Sequence, residues 1–86
     1  MKVELQEPVK GVAGDELLLG RSSWDNKARS LKYAWPDKNG KRARGGELPM
    51  SAVPQAVLFA ASTGYLTRKQ TVALTKGLID ILAKAG

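Results

Sequence analysis

The chain has 86 residues, of which 43% are hydrophobic and 26% are charged, proportions typical of one small globular domain rather than of a disordered segment or a membrane span. It contains neither cysteine nor histidine, which excludes disulfides, the usual zinc sites, thiol nucleophiles and imidazole bases. Its 14 Lys and Arg residues outnumber its 8 Asp and Glu residues, so the net charge is +6 and an anionic partner is favoured.

The excess positive charge lies in one segment of the chain. Between Arg21 and Arg44 there are eight basic residues and two acidic ones, whereas the rest of the chain has six of each sign. A solvent-exposed surface that has no anionic partner usually mixes both signs. The segment therefore predicts a binding surface for a polyanion.

The N-terminal half is predicted to be mainly β. Val3 and Leu5 alternate with polar residues before Pro8, which indicates a half-buried strand. The next apolar run, 17–19, is compatible with a strand or with a single helical turn, because periodicity does not separate the two in so short a run. Residues 1–9 lack the apolar core of a signal peptide, so we expect a cytoplasmic protein.

The strongest strand signal is a β-hairpin around Asn39 and Gly40. Residues 30–35 alternate in character before a cluster of turn residues, and the Asn-Gly pair favours a tight turn because both residues tolerate positive φ. The returning strand, 41–48, has few branched or aromatic residues and is expected at the sheet edge. One side of the first strand of the hairpin, 30–35, is expected to be buried. This side consists of Leu31, Tyr33 and Trp35.

Two helices are predicted to follow the strands. For the first helix, Ser51 is the expected N-cap and Pro54 lies in the first turn, where its missing amide proton costs nothing. Gly64 is expected to end this helix in the left-handed conformation, with Tyr65 folding back on the last turn. The nearly continuous apolar character of the helix predicts that it is buried.

The second helix begins with a capping box, because Gln70 follows Thr67 by three residues and each side chain can bond the other's backbone amide. Its apolar stripe is also expected to be buried, and it consists of Leu74, Leu78, Ile81, Leu82 and Ala85. The elements together predict an α+β fold in a single domain, 1–86. In this fold an antiparallel β-meander of three or four strands (mainly 1–48) packs on a C-terminal two-helix hairpin (mainly 49–86).

The predicted hairpin carries the candidate binding site. A basic β-ribbon can enter the major groove of DNA, or it can simply neutralise phosphates without recognising a sequence. The candidate phosphate contacts are Arg29, Lys32, Lys38, Lys41, Arg42 and Arg44. Trp24 is a candidate for stacking on an unpaired base. These residues predict a non-catalytic protein that binds DNA or RNA.

Other functions were weighed against this one. A helix-turn-helix is disfavoured because Gln70 lies six residues after Gly64, where a buried aliphatic residue is needed. The chain has no histidine to act as a catalytic base and no carboxylate pair at helical spacing, so we do not expect an enzyme. We also expect no small-molecule substrate, no metal, no cofactor and no membrane contact. The alternative is a small protein-interaction or inhibitor module that binds an acidic partner protein or a ribonucleoprotein and can form a homodimer.

Overall fold

The chain forms a β-sheet followed by two helices. A computed structural model of the protein describes residues 1–41 and 45–85. The elements in chain order are β1 (Lys2–Pro8), β2 (Glu16–Arg21), β3 (Arg29–Ala34), β4 (Glu47–Pro49), a 3-10 turn (Met50–Ala52), α1 (Val53–Ser62) and α2 (Arg68–Ala85). The four strands are antiparallel and lie in the order β1-β2-β3-β4. The predicted α+β class is therefore confirmed, with four strands in the meander.

The backbone divides into two compact units, one that ends at Pro54 and one that begins at Gln55. The first unit holds the whole sheet, and the second holds most of α1 and all of α2. Within the described residues, no helix has both the length and the apolar character needed to cross a membrane.

A β-bulge bends the first strand. The pairing of β1 with β2 changes register at Glu4, between Val3 and Leu5, and the extra residue increases the local twist of the strand. Close to the bulge lies Gly20, where an added Cβ atom would collide with the carbonyl oxygen of Lys2. Glycine is required at this position because any side chain would push β1 away from β2.

The register of β2 with β3 defines the two faces of the sheet. Residues that lie opposite each other in an antiparallel pair project from the same face. One side, which we call the leucine face, carries Leu17, Leu19, Leu31 and Tyr33. The other side, which we call the inner face, carries the buried residues Leu18, Gly20, Ser30 and Ala34. The apolar run 17–19 is thus part of a strand rather than a helical turn.

Burial occurs on the inner face and not on the aromatic side of β3. Ser30 and Ala34 are 0% and 1% exposed, whereas Tyr33 and Trp35 are 41% and 44% exposed. The prediction that Leu31, Tyr33 and Trp35 form the buried side is therefore wrong. Strand alternation separates the two sides correctly, but it does not show which of them is covered.

The sheet curls around its inner face. The amino nitrogen of Met1, just before β1, lies 3.6 Å from Oε2 of Glu47 in β4, although β1 and β4 are the two edges of the sheet. The hydroxyl oxygens of Ser22 and Ser30 form a buried hydrogen bond of 2.6 Å, and Ser30 belongs to the inner face. Small side chains fit inside so curved a sheet, which explains why the bulky aromatic residues lie on the outer side.

The connection between β3 and β4 begins with a three-residue turn. The amide of Gly40 donates to the carbonyl of Asp37 at 3.1 Å, and the amide of Asp37 donates to the carbonyl of Lys41 at 2.7 Å. Gly40 has φ of 76°, and none of the described non-glycine residues has positive φ. The predicted tight turn at Asn39 and Gly40 is therefore formed. Only Gly40 adopts positive φ, because a three-residue hairpin loop needs only its last residue in that conformation.

The returning strand is much shorter than predicted. Ladder pairing with β3 joins Lys32 to Glu47, Leu31 to Leu48 and Ser30 to Pro49. Strand β4 therefore contains two residues of the predicted 41–48 arm, together with Pro49. Residues 42–44 lie outside the described part of the chain. At Gly45 an added Cβ atom would collide with the carbonyl oxygen of Tyr33, which shows that the backbone approaches β3 closely before the ladder begins.

The first helix ends where the sequence predicts but begins differently. Ser51 lies inside the 3-10 turn, so it is not the N-cap of α1. Gly64 has φ of 80°, and its amide donates to the carbonyl of Ala61 at 3.3 Å, which confirms its predicted role at the C-terminus of the helix. Tyr65 is 90% exposed, so the predicted contact with the last helical turn is not formed.

The capping box of the second helix is confirmed. The amide of Thr67 donates to Oε1 of Gln70 at 2.9 Å, and the amide of Gln70 donates to Oγ1 of Thr67 at 3.0 Å. Both bonds satisfy amide groups that the first helical turn would otherwise leave without partners. Local sequence alone was sufficient to locate this helix start.

The predicted burial of both helices is wrong. Neither α1 nor α2 has a buried residue among those described, and Phe59, Ile81 and Leu82 are largely exposed. Helical periodicity identifies the apolar side of a helix, but burial also requires an opposing surface. The two helices make few contacts with each other, so they do not supply that surface.

Replacing Gly20 tests the close approach of β1 to β2. Gly20→Ala must displace the backbone near Lys2, so we expect a loss of unfolding free energy of about 1–3 kcal/mol. Gly46→Ala is the matched control, because an added Cβ atom there meets no neighbour within 4 Å. Urea unfolding followed by tryptophan fluorescence measures both variants, since Trp24 and Trp35 belong to the sheet unit. Equal stability of the two variants would contradict the predicted steric conflict.

Candidate nucleic-acid interface

The four described residues among the six predicted phosphate contacts do not share one surface. Arg29, Lys32, Lys38 and Lys41 lie in the part of the chain that the structure describes, whereas Arg42 and Arg44 lie outside it. Arg29 begins β3 and Lys38 follows its end. The strand alone spans about 17 Å at about 3.3 Å per residue, so these cations occupy opposite ends of the sheet.

The turn after β3 presents two lysines on a fixed backbone. The Oδ1 atom of Asp37 accepts hydrogen bonds from the amides of Asn39 and Lys41, both at 2.9 Å. Lys38 and Lys41 are exposed, and neither forms an ion pair with a described acidic residue. The carboxylate of Asp37 is committed to the backbone of the turn, so both ammonium groups can contact a ligand.

A third lysine lies at the same end of the sheet. In a meander the β1–β2 and β3–β4 connections lie at one end, and Gly14 in the first connection packs near Pro36 in the second, with an added Cβ 3.0 Å from Pro36 Cγ. Lys10 is exposed in the first connection. We call Lys10, Lys38 and Lys41 the tip lysines. Lys10 was not among the predicted phosphate contacts because it lies outside the basic segment of the sequence.

Lys32 has a different environment from the tip lysines. It lies opposite Leu18 and Glu47 in the two ladders, which places it on the inner face, where it is half-buried. Its positive charge contributes to a lowered pKa of Glu47. Lys32 and Arg29 therefore project from opposite faces of β3.

Glu47 joins the two edges of the sheet unit. Its Oε1 accepts a hydrogen bond from the amide of Ser23 at 3.0 Å, and its Oε2 accepts one from the hydroxyl of Ser23 at 2.6 Å. The side-chain hydrogen bond from Ser23 is the main cause that holds the pKa of Glu47 below its ordinary value of 4.5, and the backbone hydrogen bond and the charges of Met1 and Lys32 add to it against the opposing effect of burial. This carboxylate has a structural role.

Arg29 forms one half of an arginine pair. It lies directly opposite Arg21 in the β2–β3 ladder, and both guanidinium groups face the carboxylate of Glu4 at the bulge. Arg29 Nε lies 2.8 Å from Glu4 Oε1, and Arg21 Nε lies 3.5 Å from Glu4 Oε2. Arg21 belongs to the basic segment but was not a predicted phosphate contact, because only the strand register shows that the two arginines lie opposite each other.

Trp24 is separate from the other described aromatic residues. The rings of Tyr33 and Trp35 lie 6.3 Å apart, and the Tyr33 hydroxyl donates to Asp15, a hydrogen bond that, together with burial and the charge of Asp15, raises the pKa of Tyr33. Trp24 lies in the β2–β3 connection, is 55% exposed and forms no ring contact with a described residue. Its predicted availability for stacking agrees with this environment.

No other kind of site stands out in the described ranges. Among those residues, no three acidic side chains are grouped closely enough to hold a metal ion. Comparison of the chain with protein-family models, with curated proteins and with solved structures finds no match in any of the three. The function must therefore be inferred from the residues of the chain itself.

The ionised form of Glu47 is expected to stabilise the fold at neutral pH. Because its pKa is lowered by folding, its contribution is present above pH 4.5 and is lost as the pH falls through the folded value. The melting temperatures of the protein and of Glu47→Gln should therefore differ at about pH 6 and converge towards about pH 3. Thermal unfolding followed by circular dichroism measures this difference.

Two serine variants control this experiment. Ser23→Ala removes the hydroxyl that is the main cause of the lowered pKa, so it should reduce the pH dependence. Ser51→Ala replaces an exposed serine and should leave it unchanged. A difference between the protein and Glu47→Gln that stays constant across the acidic range would contradict the role assigned to Glu47.

Proposed function

We propose that the protein binds nucleic acid, without catalysis, through contacts between its exposed cations and backbone phosphates. The observation that carries the proposal is the turn after β3, where the Asp37 carboxylate accepts hydrogen bonds from the amides of Asn39 and Lys41. The side chains of Lys38 and Lys41 in this turn remain exposed. Arg42 and Arg44 follow directly in the sequence. A fixed turn holds its cations in place before binding, which lowers the entropy lost on association.

The chemistry of the tip lysines favours affinity over sequence recognition. A lysine ammonium is a compact point charge, whereas reading a guanine edge in two places is typical of arginine. Neutralisation of phosphates releases condensed counterions and supplies most of the affinity for any nucleic-acid sequence. We therefore propose that Lys10, Lys38 and Lys41 position the protein on the phosphate backbone, and that they do not select bases.

A protein-interaction module is the second candidate function, and one observation favours it. Large apolar side chains of α1 and α2, including Leu58, Phe59 and Leu82, are mainly exposed. Exposed apolar clusters are typical of surfaces that contact another protein. In this function the basic residues would contact an acidic partner or a ribonucleoprotein, and removing lysines would leave the salt dependence of binding to free nucleic acid unchanged.

The salt dependence of binding tests the two described lysines of the turn. Each phosphate contact on duplex DNA contributes about 0.9 to the slope of log K against log salt, so Lys38→Ala/Lys41→Ala should reduce the slope by about 1.8. Lys76→Ala/Lys84→Ala is the matched control, because it removes the same charge from exposed positions of α2. Fluorescence anisotropy between about 50 and 200 mM salt measures the slopes. Equal slopes for the two double variants would contradict the proposal.

The two arginines beyond the turn have a prediction of their own. If Arg42 and Arg44 each contact a phosphate, Arg42→Ala/Arg44→Ala should reduce the slope for duplex DNA by about two contacts, or about 1.8. Arg42→Lys/Arg44→Lys preserves the charge and should retain most of the slope. The same anisotropy titration measures both variants. An unchanged slope in the alanine variant would remove these two residues from the binding surface.

A further inference from the structure

We propose a second binding site at the end of the sheet away from the tip lysines, where Arg21 and Arg29 bind a phosphate of single-stranded nucleic acid and Trp24 stacks on one of its unpaired bases. This inference rests on the proposed function and specifies a class of ligand for one part of the surface. The three residues flank or belong to one connection, β2–β3. We call this group the arginine–tryptophan site.

The arginine pair has an uncompensated positive charge. Like charges directly opposite each other in an antiparallel ladder are destabilising, and Arg21 and Arg29 occupy such positions. The carboxylate of Glu4 offsets only one of the two charges. A second anion would remove the remaining repulsion, and a phosphate oxygen offers the same chemistry to a guanidinium group as a carboxylate oxygen does.

Glu4 lies closer to Arg29 than to Arg21. Its 2.8 Å contact with Arg29 Nε is a close ion pair, whereas Arg21 Nε lies 3.5 Å from the carboxylate and is buried without a hydrogen bond. The other described contact of Arg21 is a long 3.4 Å hydrogen bond from Nη1 to Asn26 Oδ1. Arg21 therefore retains donor capacity that the described residues do not satisfy.

Both guanidinium groups can reach a ligand. The side chains of Arg21 and Arg29 are 37% and 47% exposed. Both approach the Glu4 carboxylate through Nε. A guanidinium fork suits two-point binding of a phosphate, and the strand ladder fixes the spacing of the two arginines before the ligand arrives.

Trp24 lies close to this pair by covalent connection. Three residue steps separate it from Arg21, which limits their Cα atoms to about 11 Å. The connection is closed at its base by a hydrogen bond of 3.1 Å from the amide of Ser22 to the carbonyl of Ala28, so Trp24 is held in a short loop between the arginines. Its exposed indole ring has no described ring partner.

The combination of residues favours a single strand over a duplex. Bases inside a duplex stack on each other, so their faces are not available to a protein ring, whereas the bases of a single strand can stack on an aromatic side chain. Phosphates are available in both forms. The tip lysines are therefore expected to bind either form, and the arginine–tryptophan site is expected to add affinity for single strands alone.

Replacement of Trp24 separates stacking from charge. We expect Trp24→Ala to weaken binding of an oligothymidylate of about 12 nucleotides by about tenfold, and to change binding of a duplex of the same length by less than about twofold. Trp24→Phe keeps an aromatic face and should retain most of the affinity. Tyr65→Ala, which removes an aromatic residue that is 90% exposed, is the matched control and should change neither. Fluorescence anisotropy measures all four proteins.

Replacement of Glu4 separates ligand binding from a structural role. Glu4→Gln leaves two uncompensated arginines, so single-strand binding should tighten and its salt slope should steepen by about 0.7, the value for one added contact on a single strand. A carboxylate that only stabilises the fold would give weaker binding. If Glu4→Gln unfolds, Arg29→Gln replaces it in the test. This variant should reduce the salt slope of single-strand binding by about 0.7.

The outcomes distinguish failure of this inference from failure of the proposed function. Unchanged single-strand affinity in Trp24→Ala, with duplex binding still sensitive to Lys38→Ala/Lys41→Ala, overturns the arginine–tryptophan site and leaves the proposed function in place. Absence of binding by the unaltered protein to either oligonucleotide at about 50 mM salt overturns both. Equal weakening of single-strand and duplex binding in Trp24→Ala also overturns the inference, because stacking was assigned to single strands alone.

Discussion

The antiparallel register between β2 and β3 is the constraint on which the placement of Arg21, Arg29 and Lys32 depends. Because successive side chains of a strand project from opposite faces, this register sets Arg29 beside Arg21 on the leucine face and sets Lys32 opposite Leu18 on the inner face. The described cations of a segment that is mainly basic in sequence are thereby divided between two faces and two ends of one sheet. The electrostatic surface of the protein follows from strand geometry as much as from composition.

This division gives the cations different roles. Lys32 lies near Glu47 and helps to keep that carboxylate ionised, so its charge contributes to the closure of the sheet edges. Arg21 and Arg29 share the carboxylate of Glu4, which leaves one positive charge for an external anion. Two separated groups of cations can contact separate phosphates of one strand, and such linked contacts increase the overall affinity without any new type of interaction.

Local sequence signals predicted the helices and strands well. Burial and contacts between strands were predicted less well, because they depend on long-range packing. The capping box at Thr67 and the left-handed Gly64 were correct because their hydrogen bonds lie within a few residues. The buried side of β3 was predicted wrongly, because the bulge at Glu4 and the curl of the sheet depend on contacts between distant strands. For the same reason the sequence predicted Arg29 as a phosphate contact but did not show that Arg21 lies opposite it in the ladder.

The central claim is that polyanions contact the two ends of the curled sheet. Amide chemical shifts of ¹⁵N-labelled protein, recorded during titration with an oligothymidylate of about 12 nucleotides at about 50 mM salt, test it most directly. We expect the largest shift changes in the turn after β3 and in the β2–β3 connection, together with the indole N–H of Trp24. Changes confined to α1 and α2, with both of these connections unaffected, would contradict the claim.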